Sequence, residues 1–203
     1  TDGGMNSMTE IIDAQGAHYP MVAETLAQAF HTDPALSYIL QDEGSRPRRL
    51  KRLFDLIIAD DANVGRVVQS AGNEAAALWR SPGNADSGDE PLIAQLMPML
   101  RIFGFALPRA MRVVEGIDKN RPKGDFWYLH FVGVRPAHQG KGWGGRIIRE
   151  GLARADAEGL PSWLETATPE NVPLYQRLGF VIQCEWDVPK GGPHFWGMMR
   201  EAA

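Results

Sequence analysis

The sequence predicts an α/β (α+β) fold, a central sheet with helices packed on its faces. Three observations lead there. Residues 18–60 space their apolar side chains at helical intervals. Residues 65–81 switch to two extended runs joined by Gly72-Asn73, a hairpin signal. Residues 126–200 then alternate as strand, helix, strand, helix, strand, strand. Alternation of that kind buries an apolar sheet under helices. No internal repeat or linker divides the 203 residues, so a single domain, 1–203, is expected.

The elements follow in order. Glu10–Asp13 is a short strand and His18–Phe30 a helix with Val22, Leu26, Ala29 and Phe30 on one face. Asp33-Pro34 turns the chain into a second short helix carrying Leu36, Ile39 and Leu40. A third helix runs from Pro47, suited to a first turn, to Asp60. The strands Gly65–Ala71 and Glu74–Ser81 precede a polar loop, 82–90. Helical spacing returns over 91–115, interrupted by Pro98 and Pro108. Beyond it lie a β-prone run Phe126–Val134, a Gly-rich turn and a helix over Gly144–Glu158. Trp163–Thr166 is a strand and Glu170–Leu178 a helix closed by Gly179. Phe180–Val188 and His194–Arg200 are the last strands.

Composition excludes several classes. Hydrophobic residues at 44% and charged residues at 23% give an ordinary core without a metal or disulfide staple. The one cysteine, Cys184, permits no internal disulfide and fits a reducing compartment. A net charge of −4 without a basic stripe argues against nucleic acid as a partner. No apolar run reaches the ~20 residues of a membrane helix, and Thr1–Met8 lacks the build of a signal peptide. The cytoplasm is therefore the expected compartment. Residues 1–8 are expected to be disordered or, at Thr1–Gly4, extraneous. His18, His31 and His194 have no ligand-like spacing, so no metal site is expected.

The turn His138-Gln139-Gly140-Lys141-Gly142-Trp143-Gly144-Gly145 carries the chemistry. Its glycines let the backbone approach a ligand, and the next helix aims its unpaired amides and positive dipole end into the loop. Such a turn suits an anionic diphosphate. The Walker pattern fails because Lys141 is followed by Gly142 rather than Ser or Thr. The dinucleotide fingerprint fails too, because the strand comes late and the glycine spacing is wrong.

Gln139, Gly142 and Gly144 form Gln-x-x-Gly-x-Gly, and the turn resembles the pyrophosphate signature of GCN5-related N-acetyltransferases (GNAT). Val134-Arg135-Pro136 is similar to that family's exit from strand 4, and Asn171 to Phe180 resembles its second signature. The resemblance spans Glu10–Arg200, with its specific part at 127–180. It implies a mixed, mostly antiparallel sheet of six to seven strands, helices on both faces, and a helical insertion, here 91–118, before strand 4. It also implies acetyl-CoA as cosubstrate and an amine acceptor. A closer likeness is to the puromycin N-acetyltransferase branch, through Asn120–Lys123, Val132–Val134, His138–Gly142, Leu164–Thr166 and Val188-Pro189. The N-terminal half offers no comparable match, so puromycin itself is not carried over.

The resemblance also implies roles. Strand 4 is expected to splay from strand 5, with backbone groups of Val132 and Val134 holding the pantetheine arm. Gln139, Gly140, Lys141, Gly142, Trp143, Gly144 and Gly145 surround the pyrophosphate, mainly through main-chain amides. Trp143 also reads as packing, and Lys141 as a point charge. Asn171 matches a residue that bonds the arm, or serves as a helix cap. Tyr175 matches the general acid that protonates the coenzyme A thiolate, a task open to an un-ionised phenol. The base stays open between Glu165 on strand 5, His130 on strand 4, and a water chain. Simple alternation places 128, 130, 132 and 134 on one face of strand 4. Trp79, Phe103, Phe105 and Trp127 are candidate walls for the acceptor.

The expected reaction is direct attack of a primary amine on acetyl-CoA in a ternary complex, with Cys184 outside the chemistry. A small-molecule acceptor is favoured over a protein N-terminus or lysine. A non-catalytic acyl-CoA sensor is the rival class. Monomer and homodimer are both compatible with the sequence.

Overall fold

A computed structural model describes residues 10–86 and 92–203. The expectations for residues 1–8, and for 87–91 of the loop and insertion, lie outside the described residues. The strands are β1 (Ile11–Asp13), β2 (Gly65–Ser70), β3 (Ala75–Arg80), β4 (Trp127–Val134), β5 (Ser162–Thr166), β6 (Val181–Asp187) and β7 (His194–Arg200). They form one seven-stranded sheet in the order β1-β2-β3-β4-β5-β7-β6. Every neighbouring pair is antiparallel except β4 and β5, which run parallel. The mixed, mostly antiparallel sheet matches expectation.

The helices are α1 (Tyr19–Ala29), α2 (Pro34–Ile39), α3 (Arg46–Val64), α4 (Leu92–Phe103), α5 (Leu107–Asn120), α6 (Trp143–Glu158) and α7 (Val172–Arg177). Helices α1 to α5 cover one face, where Leu26, Leu50, Phe54 and Ile58 pack with Ala76 and Leu78 of β3. Helices α6 and α7 cover the other, with Ile147, Ile148 and Leu152 against Ala77, Trp79 and Leu129. Each fully buried Leu or Ile contributes about 1.5–3 kcal/mol, so both layers are held by ordinary burial.

Helix α3 continues past Asp60 to Val64. The residue after that expected end, Asp61, is fully buried and extends the apolar stripe of Leu50, Phe54 and Ile58. A carboxylate in that position requires partners. Helix α4 tolerates Pro98 internally, whereas Pro108 opens α5. The insertion ends at Asn120 rather than 115 or 118.

Two features of β4 place the site. First, β4 pairs with β5 only at Trp127↔Ser162 and Tyr128↔Trp163, so the two strands part beyond Tyr128. Second, β4 holds one residue more than β3 opposite it: Leu78 pairs with Phe131, but Trp79 pairs with Leu129. His130 is the extra residue of a β-bulge. Alternation therefore breaks there. Tyr128 shares a face with His130 and Phe131, whose rings stand 4.4 Å apart, while Val132 and Val134 join the opposite core. The expectation that 128, 130, 132 and 134 share one face is corrected by this bulge.

Candidate active site

The gap between β4 and β5 opens into a cavity of about 640 Å³. Among the expected site residues it is lined by Tyr175, Glu165, His130, Asn171 and Val132. Its body is apolar, with Leu53, Ile57, Met99, Phe103, Leu107 and Met111 contributed by α3, α4 and α5. Of the four aromatics expected to wall it, Phe103 does so. Trp79 and Trp127 belong instead to the core under α6, and Phe105 is wholly exposed. Their positions follow from sheet alternation and from a turn between helices, neither visible in the spacing of aromatics.

Tyr175 is buried on α7, and its ring meets Phe180 edge-on at 6.0 Å. Burial, helped by the charge of Asp33, raises its pKa, so the phenol keeps its proton. Asp33 lies on the opposite side of the sheet at the start of α2, where it accepts from Leu36 N at 2.9 Å. Tyr175 and Asp33 line one cavity from opposite faces because the splayed strands leave an opening there. Asn171 precedes α7 and makes no side-chain cap, so its amide is not consumed by the helix.

Glu165 is enclosed. Its carboxylate accepts from Trp163 Nε1 and from the Tyr128 hydroxyl, and Arg121 Nε lies 3.9 Å away. Burial still raises its pKa against those partners. Arg121 caps Tyr128 with its guanidinium 5.1 Å from the ring centre and also pairs with Asp118 at 3.2 Å and with Asp86.

His130 is held differently. Its Nδ1 sits 2.7 Å from Asp61 Oδ2, and Arg80 Nε donates to Asp61 Oδ1 at 2.7 Å. Arg80 also bonds Asp60 Oδ2 at 2.8 Å. Burial would raise the Asp61 pKa, but His130 and Arg80 outweigh it and leave the carboxyl below its usual range. Burial lowers the His130 pKa despite the Asp61 charge, so the imidazole is neutral at neutral pH. Asp61 and Arg80 were missed from sequence. The available signal was an acid on the apolar stripe of α3.

At the other end of β4, the turn is built to present amides. Gly140 (φ +73°) and Gly142 (φ +83°) occupy left-handed conformations that side chains resist. Gly142 is the N-cap of α6, and the first helical bond runs from Arg146 N to Gly142 O, 3.2 Å. The amides of Trp143, Gly144 and Gly145 thus precede the helical ladder and face the positive dipole end. Gln139 and Lys141 spend their side chains on the loop itself, bonding Val134 O at 3.1 Å and Ala137 O at 2.9 Å. Residues 139–142 are exposed, whereas the Trp143 side chain is buried under Arg146. Any ligand contact from Trp143 is therefore through its main chain. These residues fit a diphosphate.

Residues 101–180 match the acetyltransferase (GNAT) family. An uncharacterised N-acetyltransferase of Schizosaccharomyces pombe is 30% identical over 177 residues, covering 81% of this chain and 71% of that protein. Among solved structures, a Corynebacterium glutamicum protein described as histone acetyltransferase HPA2 and related acetyltransferase is 27% identical. It covers 95% of this chain and 96% of its own, with a TM-score of 0.71. Arylalkylamine N-acetyltransferase 2 of Aedes aegypti shares the fold at 13% identity and a TM-score of 0.64, covering 96% and 99%. The chain belongs to the acetyltransferase (GNAT) family. It is an N-acetyltransferase of the kind that draws its acetyl group from acetyl-CoA. Among the described residues no cluster of His, Cys, Asp or Glu could hold a metal, and no helix is long and apolar enough to cross a membrane.

Proposed function

We propose that this chain, as a single domain, moves the acetyl group of acetyl-CoA to the primary amine of a small molecule with an apolar body. One observation carries the reading: the gap between β4 and β5 leads into a cavity that combines Tyr175, His130 and Glu165 with an apolar sleeve. The diphosphate of the cosubstrate lies on the amides of 143–145, with Gln139, Gly140, Lys141 and Gly142 shaping the turn. Backbone groups of Val132 and Val134 on the edge that β5 leaves open, where Val134 O also accepts from Gln139 Nε2, hold the arm together with Asn171.

The reaction needs a neutral amine, a polarised thioester and a protonated leaving sulfur. The amine nitrogen attacks the thioester carbonyl, and collapse of the tetrahedral adduct breaks the C–S bond. Tyr175 gives its proton to the departing sulfur and is re-protonated by the nitrogen that has just become positive. His130 or Glu165 takes the earlier proton from the incoming ammonium. Cys184 lies on β6 with its sulfur toward Asn120 O at 3.7 Å, consistent with transfer that uses no acyl-enzyme.

The small-molecule reading rests on the walls. Helices α4 and α5, inserted before β4, close the cavity with Met99, Phe103, Leu107 and Met111. Carboxylates outnumber cations around the lining, which favours a protonated amine. Calorimetry with acetyl-CoA, followed by thiol release over a panel of alkylamines, arylalkylamines, lysine peptides and free N-terminal peptides, tests the reading. Turnover is expected with the apolar small amines. Turnover confined to peptides overturns the acceptor class, and absence of binding heat overturns the cosubstrate site.

A further inference from the structure

We infer that Asp61, anchored by Arg80, is a positioning residue that makes His130 the proton acceptor for the incoming amine. The inference rests on the acetyl-transfer reading above and chooses among its candidate bases, Glu165, His130 and a water chain.

The argument begins with hydrogen-bond polarity. An ionised carboxylate can only accept, so the 2.7 Å contact between Asp61 Oδ2 and His130 Nδ1 places the proton on Nδ1. The remaining nitrogen, Nε2, then carries the free lone pair. Asp61 cannot turn away. It is fully buried, and its other oxygen is pinned by Arg80 Nε at 2.7 Å. The bulge puts His130 on the cavity side of the sheet, where regular alternation with Val132 and Val134 would have turned it toward the other core. A buried acid on α3, an arginine on β3 and an extra residue in β4 thus converge on one imidazole.

Glu165 is the poorer acceptor on geometry. Its side chain is 4% exposed against 18% for His130, and it already receives Trp163, Tyr128 and the charge of Arg121. Its carboxylate instead ties Tyr128 and Arg121 into the cavity wall. In the step assigned here, the substrate ammonium N–H bond breaks, its proton goes to His130 Nε2, and the electron pair stays on nitrogen for attack. The imidazolium later releases that proton to solvent. Besides Asp61, Arg80 on β3 and Arg121 after α5 act on the His130 charge, Tyr128 on β4 lies with its ring 5.3 Å away, and Asp33, Asp60, Asp86, Asp118 and Glu165 line the same cavity.

The test is a double-mutant cycle on the full chain, with kcat and kcat/KM followed over about pH 5 to 9 for the best amine of the panel. His130→Gln is expected to lose about 100-fold or more in kcat and to lose the acidic limb of the profile. Asp61→Asn is expected to lose about 10- to 100-fold, with the limb moved to lower pH because the imidazole loses its negative neighbour. In the His130→Gln background, Asp61→Asn should change kcat by no more than about twofold, since its effect runs through the ring. Losses that multiply, or His130→Gln with its acidic limb intact, overturn the inference. If Asp61→Asn does not fold, the imidazole 15N spectrum of the wild-type protein decides, with His130 assigned by difference from His130→Gln. The Nδ1–H tautomer supports the inference and the Nε2–H tautomer sinks it. A wild-type protein that acetylates no amine defeats the acetyl-transfer reading. An active wild type with an unaffected His130→Gln defeats this inference alone.

Discussion

At the turn into α6 the polar groups on offer are main-chain amides, whereas along the cavity they are side chains gathered from α3, β3, β4 and β5. The turn needs only residues 139–145, because glycine conformations and a helix start are local properties. The proposed acceptor end draws on positions 61, 80, 130 and 165, which meet only once the sheet has formed. Affinity for the cosubstrate and proton handling should therefore be separable by mutation.

The largest expected effect is at Tyr175. Tyr175→Phe should lower kcat by about 100-fold or more while acetyl-CoA affinity by calorimetry stays within about twofold. Unchanged turnover would remove the phenol from the chemistry. The reverse pattern is expected at Gly142, whose φ of +83° costs a side chain about 1–2 kcal/mol. Gly142→Ala should weaken acetyl-CoA binding by about tenfold and leave kcat at saturation within about twofold. If both variants damaged both quantities alike, the division between the two ends would not hold.

The smallest effect concerns stability against pH. His130 has its folded pKa pushed below the ordinary 6.5 by burial, so below that pH the unfolded chain binds a proton the native chain refuses. Stability should fall as pH drops from about 6.5 toward the lowered folded value. Glu165 acts with the opposite sign above the usual glutamate range, because burial raises its folded pKa and the native state holds the extra proton. Thermal melts of wild type and His130→Gln share the Glu165 contribution. The difference between them should shrink as pH falls, and a constant difference would argue against a neutral buried imidazole.

What could be read from the sequence follows the same division. Seven strands and the major helices were visible because periodicity is set by near neighbours. The Gly turn before α6 and the place of Tyr175 on a short helix were legible because each lies within one short run. Asp61 was not, since α3 runs four residues beyond the expected Asp60 and its acid looks like a solvated helix end. Arg80 gave no hint that it sits buried against that acid at the end of β3. The bulge was invisible because one extra residue in β4 shows only against the register of β3. Trp79 and Phe105 mislead for a related reason: ring size says nothing about which side of a sheet or helix turn faces inward.

That single unpaired residue has a consequence for how the strand can vary. Removing one residue at Leu129–Phe131 would restore even spacing and leave Val132, Gly133 and Val134 opposite the same β3 partners, Ala77, Ala76 and Ala75, on the same faces as before. The cavity would lose one of the side chains that the bulge crowds onto its side of the sheet. Length at this point of the chain thus sets how many side chains β4 turns toward the cavity, and an alignment that puts its gap elsewhere in the strand misassigns the faces in between.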